Sequence, residues 1–209
     1  MVAVTVRAGS KAEMALPDGT FVHLNAATNL EYDVNNSKQR LVKLSGEAFF
    51  DVAKNPDCPF KVIINDLQIE VVGTSFNVKT YKKDIVETSL LSGRIRISGG
   101  SLPHEYTLSP GQKATYSAMD KTLRISKADA HVEAGWRDNY LIFESTPLID
   151  VIAQIERWYG VEIRLHHKQI AQDLLSGSFR NESIQNVIRS LSIQYGFKYE
   201  IHKDIITIY

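Results

Sequence analysis

The stretch FESTPLIDVIAQIERWYG, residues 143–160, returns later in the chain as FRNESIQNVIRSLSIQYG, residues 179–196. The two stretches align without a gap at an offset of 36 residues, the difference between positions 143 and 179. The offset pairs residues of the same kind: Phe143 with Phe179, Leu148 with Ile184, Val151 with Val187, Ile152 with Ile188, Ile155 with Leu191, Tyr159 with Tyr195 and Gly160 with Gly196. This repetition predicts a supersecondary unit that occurs twice.

Each copy of the unit predicts a strand, a helix and a strand. In the first copy, residues 140–143 form a strand, and Ser145 or Thr146 caps a helix that has Pro147 in its first turn. Apolar residues then recur at helical spacing until Gly160, a residue suited to a left-handed C-cap. Residues 161–165 alternate in polarity as the next strand.

The second copy repeats this order. Asn181 is the predicted cap, and Gly196 ends the helix. Residues 197–201 form a strand, and a turn at residues 203–204 leads into a last strand at 205–209. A unit of this length does not bury its apolar helix face alone, so we expect both helices to pack against a shared small sheet. The predicted second domain, residues 136–209, is therefore an α+β fold of two βαβ repeats.

The chain from residue 1 to residue 130 has a different texture. Helical periodicity is absent, and short β-branched or alternating runs such as VAVTV, FKVII and RIRIS are separated by turn residues. Turns are predicted at the pairs Asp18-Gly19, Asn35-Asn36, Ser45-Gly46, Asn55-Pro56, Gly99-Gly100 and Pro110-Gly111. The pattern predicts an all-β domain, and it leaves open a twisted sandwich, a barrel or a solenoid-like stack.

Composition excludes several classes of function. Lys+Arg and Asp+Glu both total 24 among 209 residues, so net charge gives no case for nucleic acid or an anionic membrane surface. No run of 18 apolar residues predicts a membrane span, and no secretory signal is recognisable. The chain begins directly with a strand-like segment, from which we expect that it is a piece of a longer protein. The single cysteine, Cys58, has no partner for an internal disulfide, and we expect a packing role for it.

Candidate catalytic and metal-binding residues are few. His166 and His167 are adjacent, so on a strand they point to opposite faces and do not chelate one ion together. Glu47 and Asp51 lie four residues apart in GEAFFDV and share one strand face, where a carboxylate pair is conceivable but a solvent-exposed face is the preferred interpretation. There is no glycine-rich phosphate loop and no nucleophile elbow.

The remaining polar and aromatic candidates also have structural interpretations. Asp18 is expected to shape the LPDGT turn. Trp136 and Trp158 are able to line a sugar-binding platform, although packing against the core is preferred for Trp158. We therefore predict no enzyme activity and no cofactor or metal, and a binding or signalling module instead.

Five segments of the first domain, together, resemble the FecR family of anti-sigma factors. They are LPDGTFVHLNAATNLEYD from Leu16, RLVKLSGEAFFDVAKNPDCPFKV from Arg40, VVGTSFNVKTY from Val71, LLSGRIRIS from Leu90 and LSPGQKATY from Leu108. The second domain is similar in pattern to the STN domain, the short domain of secretins and TonB-dependent transducers that contains two βαβ units. The resemblance covers nearly the whole chain.

The resemblance implies a signal relay across the cell envelope. In such proteins a cytoplasmic segment binds an ECF sigma factor, one transmembrane helix follows, and a periplasmic region receives the signal from the N-terminal signalling domain of a TonB-dependent outer-membrane transporter. This chain is then the periplasmic region of a single-pass inner-membrane protein. The sigma factor contact and the membrane helix belong to segments outside it.

Two surfaces are candidates for binding the transporter domain. The first is the terminal run Ile205, Ile206, Thr207, Ile208 and Tyr209, which is expected either to be an exposed edge strand that recruits another strand or to be paired internally. The second is the exposed side of the helices, including Arg157 and Arg189.

Two other functions compete with the relay. A carbohydrate-binding or carbohydrate-active β domain would use Glu47, Asp51, Asp18 and the aromatic residues. A structural module of an envelope assembly is the other, since secretins contain similar βαβ units.

Overall fold

The computed structural model of the protein describes residues 2–33, 40–166 and 168–209. The predicted turn at Asn35-Asn36, and His167, lie outside these residues. The chain divides into two compact units, and each has its own core. Unit 1 contains the residues up to Val6 together with Lys11–Ala134, and unit 2 contains Arg7–Ser10 together with Gly135–Tyr209. The sequence placed the division between residues 130 and 136, with residues 7–10 in the first domain.

Unit 1 consists almost entirely of strands. They are β1 Val2–Val6, β2 Ala12–Ala15, β3 Phe21–Leu24, β4 Thr28–Tyr32, β5 Arg40–Ser45, β6 Glu47–Asp51, β7 Phe60–Ile64, β8 Leu67–Val71, β9 Ser75–Lys79, β10 Ile85–Ser92, β11 Ile95–Gly99, β12 Tyr106–Leu108, β13 Gln112–Ser117 and β14 Thr122–Lys127. A short helix, α1, spans Ala130–Ala134. The strands form two seven-stranded sheets in the orders β1-β4-β5-β7-β8-β11-β12 and β14-β13-β10-β9-β6-β3-β2.

The two sheets of unit 1 share one hydrophobic core, so the unit is a β-sandwich. Inward side chains of both sheets meet there, including Leu30 and Ile69 from one sheet and Phe50 and Phe76 from the other. In each sheet the strand order follows the chain order without a reversal, because the chain crosses repeatedly from one sheet to the other. The unit therefore grows layer by layer, and it combines a sandwich core with solenoid-like connectivity.

Most strands of unit 1 were predicted from their apolar runs, but β2, β4 and β12 were not. Strands β2 and β12 lie at sheet edges and are four and three residues long, so each has too few residues to show a clear apolar alternation. Strand β4, TNLEY, is central but contributes few apolar side chains.

Unit 2 contains the repeated segments. Besides residues 7–10, it contains a 3₁₀ turn at Gly135–Asp138, β15 Tyr140–Pro147, α2 Leu148–Tyr159, β16 Glu162–Leu165, a 3₁₀ turn at Lys168–Gln172, β17 Leu174–Arg180, α3 Ile184–Tyr195, β18 Tyr199–His202 and β19 Ile205–Ile208. The helices have 12 residues each and begin 36 positions apart, as the repeat predicts. Both end at a left-handed glycine, Gly160 with φ 68° and Gly196 with φ 71°.

The strands of unit 2 form two small sheets, so the expectation of one shared sheet is wrong. Strand β15 pairs antiparallel with β17, whereas β19 pairs in parallel with β16 and antiparallel with β18. The first strands of the two repeats, β15 and β17, thus pair with each other, and the second strands, β16 and β18, lie on either side of β19. Neither repeat therefore keeps both of its strands in one sheet. The core between them collects Val151, Ile155, Val187 and Ile188 from the helices and apolar residues from both sheets.

The predicted N-caps of both helices are also wrong. In α2 the N-cap position is Pro147, which has no side-chain cap, and Thr146 Oγ1 instead accepts from the Glu144 amide at 3.2 Å. In α3 the cap is Ser183, whose Oγ accepts from the Asn186 amide at 3.2 Å, two residues beyond the predicted Asn181. These caps depend on how the preceding strand leaves its sheet, which local pattern does not specify.

Gly46, between β5 and β6, provides a test of the sandwich geometry. Its φ is 113°, and a Cβ there would lie 2.5 Å from Thr28 Oγ1 and 2.7 Å from Thr28 Cα. We expect Gly46→Ala to lower the free energy of unfolding by about 3–5 kcal/mol through backbone strain and overpacking. The matched control is Gly111→Ala, at φ 79° with no atom within 4 Å of the added Cβ, which should cost about 1–2 kcal/mol. Urea unfolding of the two variants measures the difference, and equal losses would contradict the packing argument.

Candidate partner-binding surface

The C-terminal run does not form the exposed edge considered from the sequence. Residues Ile205–Ile208 are the central strand of a three-stranded sheet, paired with Glu162–Leu165 on one side and Tyr199–His202 on the other. The side chains of Ile206 and Ile208 are buried in the core. The edge interpretation is wrong because the turn at Lys203-Asp204 pairs β19 with β18 while β16 occupies its opposite side.

Tyr209 follows β19 and is half exposed. Its hydroxyl bonds to Glu200 Oε2 at 3.2 Å, and its ring stacks on His166 with centroids 5.9 Å apart. A role for Ile205, Thr207 or Tyr209 in binding a partner therefore depends on side chains, since the backbone of β19 is already paired. That role stays a prediction.

The two predicted arginines lie in different environments. Arg157 is half-buried in the last turn of α2, where its carbonyl accepts from the Gly9 amide at 2.8 Å. Arg189 is exposed in the middle of α3. At the 36-residue offset, Arg157 corresponds to Ile193 and Arg189 corresponds to Ala153. The arginines are thus not a repeated pair, and the structure gives them separate surroundings.

Arg189 borders a groove on the outer side of α3. The groove has a volume of about 480 Å³ and is lined by Phe179, Glu182, Asn186, Arg189, Ser190 and Ile193. Ile193 is 75% exposed and, together with the half-buried Phe179, gives the groove its apolar lining. At the other end, Glu182 Oε2 accepts from Asn186 Nδ2 at 2.9 Å. The groove therefore presents the apolar side chain of Ile193 close to the cationic side chain of Arg189.

Ile193 was not identified from the sequence. The apolar stripe of α3 consists of Ile184, Val187, Ile188, Leu191 and Tyr195, and Ile193 lies outside that spacing. An isoleucine off the buried stripe is the sequence signal that would have marked this surface.

In unit 1, the predicted exposed position of Glu47 is wrong. Glu47 lies on β6 on the face opposite to Phe50, but its side chain is buried. Its Oε2 accepts from Asn25 Nδ2 at 2.8 Å and its Oε1 accepts from Asn77 Nδ2 at 3.0 Å. Burial raises the pKa of Glu47, while the charge of Lys79 and the two amides act in the opposite direction. The two asparagines, which are distant in sequence, are the reason that this carboxylate is enclosed.

The other two carboxylates have structural partners as well. Asp51 is exposed, as expected, and accepts from Ser75 Oγ at 2.7 Å. Asp18 shapes its turn by accepting from the Thr20 amide at 3.0 Å, and it also bonds to the buried Arg40 at 3.2 Å. With both oxygens of Glu47 engaged by asparagines, these three residues do not form an open pair of carboxylates for sugar chemistry.

The two tryptophans and the cysteine occupy buried or partly buried positions. Trp136 is buried, and Trp158 packs partly buried against the core of unit 2, which is the packing role preferred for it. Cys58 is half-buried, and its carbonyl accepts from Arg40 Nε at 2.6 Å. Among the described residues, no cluster of His, Cys, Asp and Glu side chains is placed to hold a metal ion.

Comparisons with known proteins match both units. The model of the FecR protein family matches residues 2–96, and the model of the FecR C-terminal region matches residues 140–208. Two crystal structures of a candidate anti-sigma factor from Parabacteroides distasonis superpose on the chain with TM-scores of 0.89 and 0.88, each at 30% sequence identity. They cover 100% of this chain and 99% and 98% of the solved chains. No curated protein matches the chain.

These matches define a regulatory protein of the anti-sigma class, which acts in signal transduction and has a sigma factor as its partner. The chain belongs to the FecR family of anti-sigma factors. The family is regulatory rather than enzymatic, and its members are anchored in a membrane. In the described part of this chain, no helix has the length and apolar character needed to cross a bilayer.

The buried Glu47 makes the stability of unit 1 depend on pH. Because its pKa is raised in the folded state, the stability linked to its proton is present at low pH and is lost as pH rises through the raised value. We therefore expect the free energy of unfolding of the wild type to fall, relative to that of Glu47→Gln, as the pH rises above the ordinary pKa of a glutamate carboxyl, about 4.3. Urea unfolding at several pH values measures this difference.

A second variant separates charge from hydrogen bonding. Glu47→Ala leaves the amides of Asn25 and Asn77 without their acceptor, so it should cost about 2–5 kcal/mol across the same pH range. Parallel pH profiles for the wild type and Glu47→Gln would show that Glu47 does not titrate in this range.

Proposed function

We propose that this chain is the signal-receiving periplasmic region of a membrane-anchored anti-sigma factor. It relays the state of a TonB-dependent outer-membrane transporter to an ECF sigma factor in the cytoplasm. The membership of both units in the FecR family supports this proposal. Full-length similarity to a candidate anti-sigma factor supports it as well.

In this proposal the two ends of the relay use different segments. A cytoplasmic segment outside the residues of this chain contacts the ECF sigma factor, and a transmembrane helix joins that segment to the periplasmic region. The present chain contacts the N-terminal signalling domain of the transporter. A change in that contact is then transmitted through the membrane helix.

Unit 2 is assigned as the receiving module, and we relate it to STN domains. The support is the repeat itself: two 12-residue helices at an offset of 36, each between two strands, around one core. Such a small α+β module presents helix surfaces and sheet edges to partners, which are the two common means of recognising another domain.

The groove beside α3 is the surface assigned to the transporter domain, and the observation that carries this is the exposed Ile193 next to the exposed Arg189. Arginine is among the residues that dominate the binding energy of many interfaces, and an exposed isoleucine beside it offers apolar area for burial. The groove is positioned by a helix whose opposite face packs into the core, so it needs little ordering on binding. A partner that fits it carries an apolar side chain next to a carboxylate.

Calorimetry with full chains tests the assignment. The wild type is titrated with the isolated signalling domain of the TonB-dependent transporter encoded nearest to it. We expect saturable binding, with the dissociation constant raised at least tenfold, about 1.4 kcal/mol, by Arg189→Glu and by Ile193→Ala. Arg157→Glu tests the second predicted arginine in the same way.

The matched control is Arg124→Glu, which reverses an exposed arginine on β14 of unit 1 and should leave the affinity unchanged. Binding that Arg189→Glu and Ile193→Ala leave intact would move the receiving surface away from the groove. Absence of binding by the wild type at concentrations up to about 100 μM would overturn the relay from such a transporter.

A further inference from the structure

Within the described residues, the two small sheets of unit 2 have four edge strands, β15, β16, β17 and β18, each with one side that pairs with no other strand. Three of the four carry features that oppose further pairing. On β16, Glu162 and Arg164 are exposed and form an ion pair at 2.7 Å. On β18, Glu200 and His202 are exposed. Charged side chains along an edge oppose the addition of another strand.

Strand β15 is interrupted instead of charged along its length. Its register shifts between Phe143 and Thr146, Ser145 has φ 45°, and the strand ends at Pro147. A bulge and a proline both prevent continuous pairing.

Strand β17 carries a charge only at its last residue, Arg180. From Leu174 to Phe179 it reads LLSGSF, with no charged residue. Leu174 is 59% exposed, and Ser176, Gly177 and Ser178 are exposed as well. The Leu174 carbonyl accepts from the Tyr195 hydroxyl at 3.1 Å, so the open stretch runs from Leu175 to Phe179.

We infer that β17 pairs antiparallel with β17 of a second copy of this chain, about a two-fold axis at Gly177. This register places Leu175 opposite Phe179 of the other copy on the core-facing side, and Ser176 opposite Ser178 on the exposed side. The first pair brings two apolar side chains together, and the second pair brings two hydroxyl groups together. The two glycines meet at the axis, where the absence of side chains lets the backbones approach.

The ends of the strand favour an antiparallel arrangement. Asp173 precedes β17 and Arg180 ends it, so an antiparallel pair brings the acidic end of one copy to the basic end of the other. A parallel pair would bring like charges together.

The pairing also closes after two copies. It produces a four-stranded sheet in the order β15-β17-β17-β15, and the interrupted β15 then forms both outer edges. An isologous contact of this kind yields a dimer and not a filament. The inference rests on the edge itself and does not require the proposed transporter partner.

Sedimentation of the full chain tests the dimer. We expect a reversible monomer–dimer equilibrium, in which Ser176→Lys combined with Ser178→Lys raises the dissociation constant at least tenfold because four lysines then meet at the axis. The control, Ser126→Lys, adds a lysine to the exposed edge strand β14 of unit 1 and should leave the equilibrium unchanged. A wild type that stays monomeric up to about 500 μM, or a dimer insensitive to the lysines, would overturn the inference.

Disulfide trapping tests the register. In a Cys58→Ser background, Ser176→Cys carrying an affinity tag is mixed with untagged Ser178→Cys under mild oxidation. Because residue 176 faces residue 178 across the axis, the mixed disulfide should form well beyond the twofold excess over each homodimer that random pairing of equal amounts gives. The random 1:2:1 distribution, or no disulfide, would refute this register.

Discussion

The apolar faces of α2 and α3 must be buried together, and the organisation of unit 2 follows from this constraint. Each helix buries one stripe, Leu148 to Ile155 in α2 and Val187 to Leu191 in α3, and a single repeat has too little sheet to cover its own stripe. The structure meets the constraint by distributing the strands of each repeat between two sheets. Phe143 and Phe179, equivalent residues of the two repeats, make an edge-to-face contact with centroids 6.4 Å apart at this junction. The repeat is therefore a packing requirement before it is a functional feature.

What the sequence predicted correctly is local. The glycines at 160 and 196 end their helices because a left-handed C-cap is a property of one residue and its neighbours. The strands of unit 1 were recognised from apolar alternation, which one chain segment carries by itself. What it did not predict depends on distant segments: the central position of β19 depends on β16, some forty residues earlier, and the burial of Glu47 depends on Asn25 and Asn77. A terminal isoleucine-rich run looks the same in sequence whether or not another strand occupies its open side.

At the candidate surface, too, the sequence predicted the local feature and missed the features that depend on distant segments. Arg189 was identified because a helix buries its apolar stripe, so an arginine outside that stripe faces solvent. The groove beside it was not, because Phe179 and Ile193 come from different elements and their proximity is a tertiary fact. The unguarded edge of β17 was also beyond prediction from the sequence. LLSGSF reads like any short strand until its partner, β15, is known and its other side is seen to be unpaired.

The groove and the edge of β17 share one residue, and this links the two proposals. Phe179 lines the groove beside α3 and also lies opposite Leu175 of the other copy in the proposed dimer. A ligand in the groove that displaces the Phe179 ring changes the free energy of the dimer, and by linkage the dimer changes the affinity for that ligand by the same factor. If both proposals hold, a coupling of this kind converts occupancy of the groove by a transporter domain into a change in the association of two copies of the chain. Because the partly buried Phe179 packs against Phe143 in the core, its displacement is opposed by this contact between the two repeats.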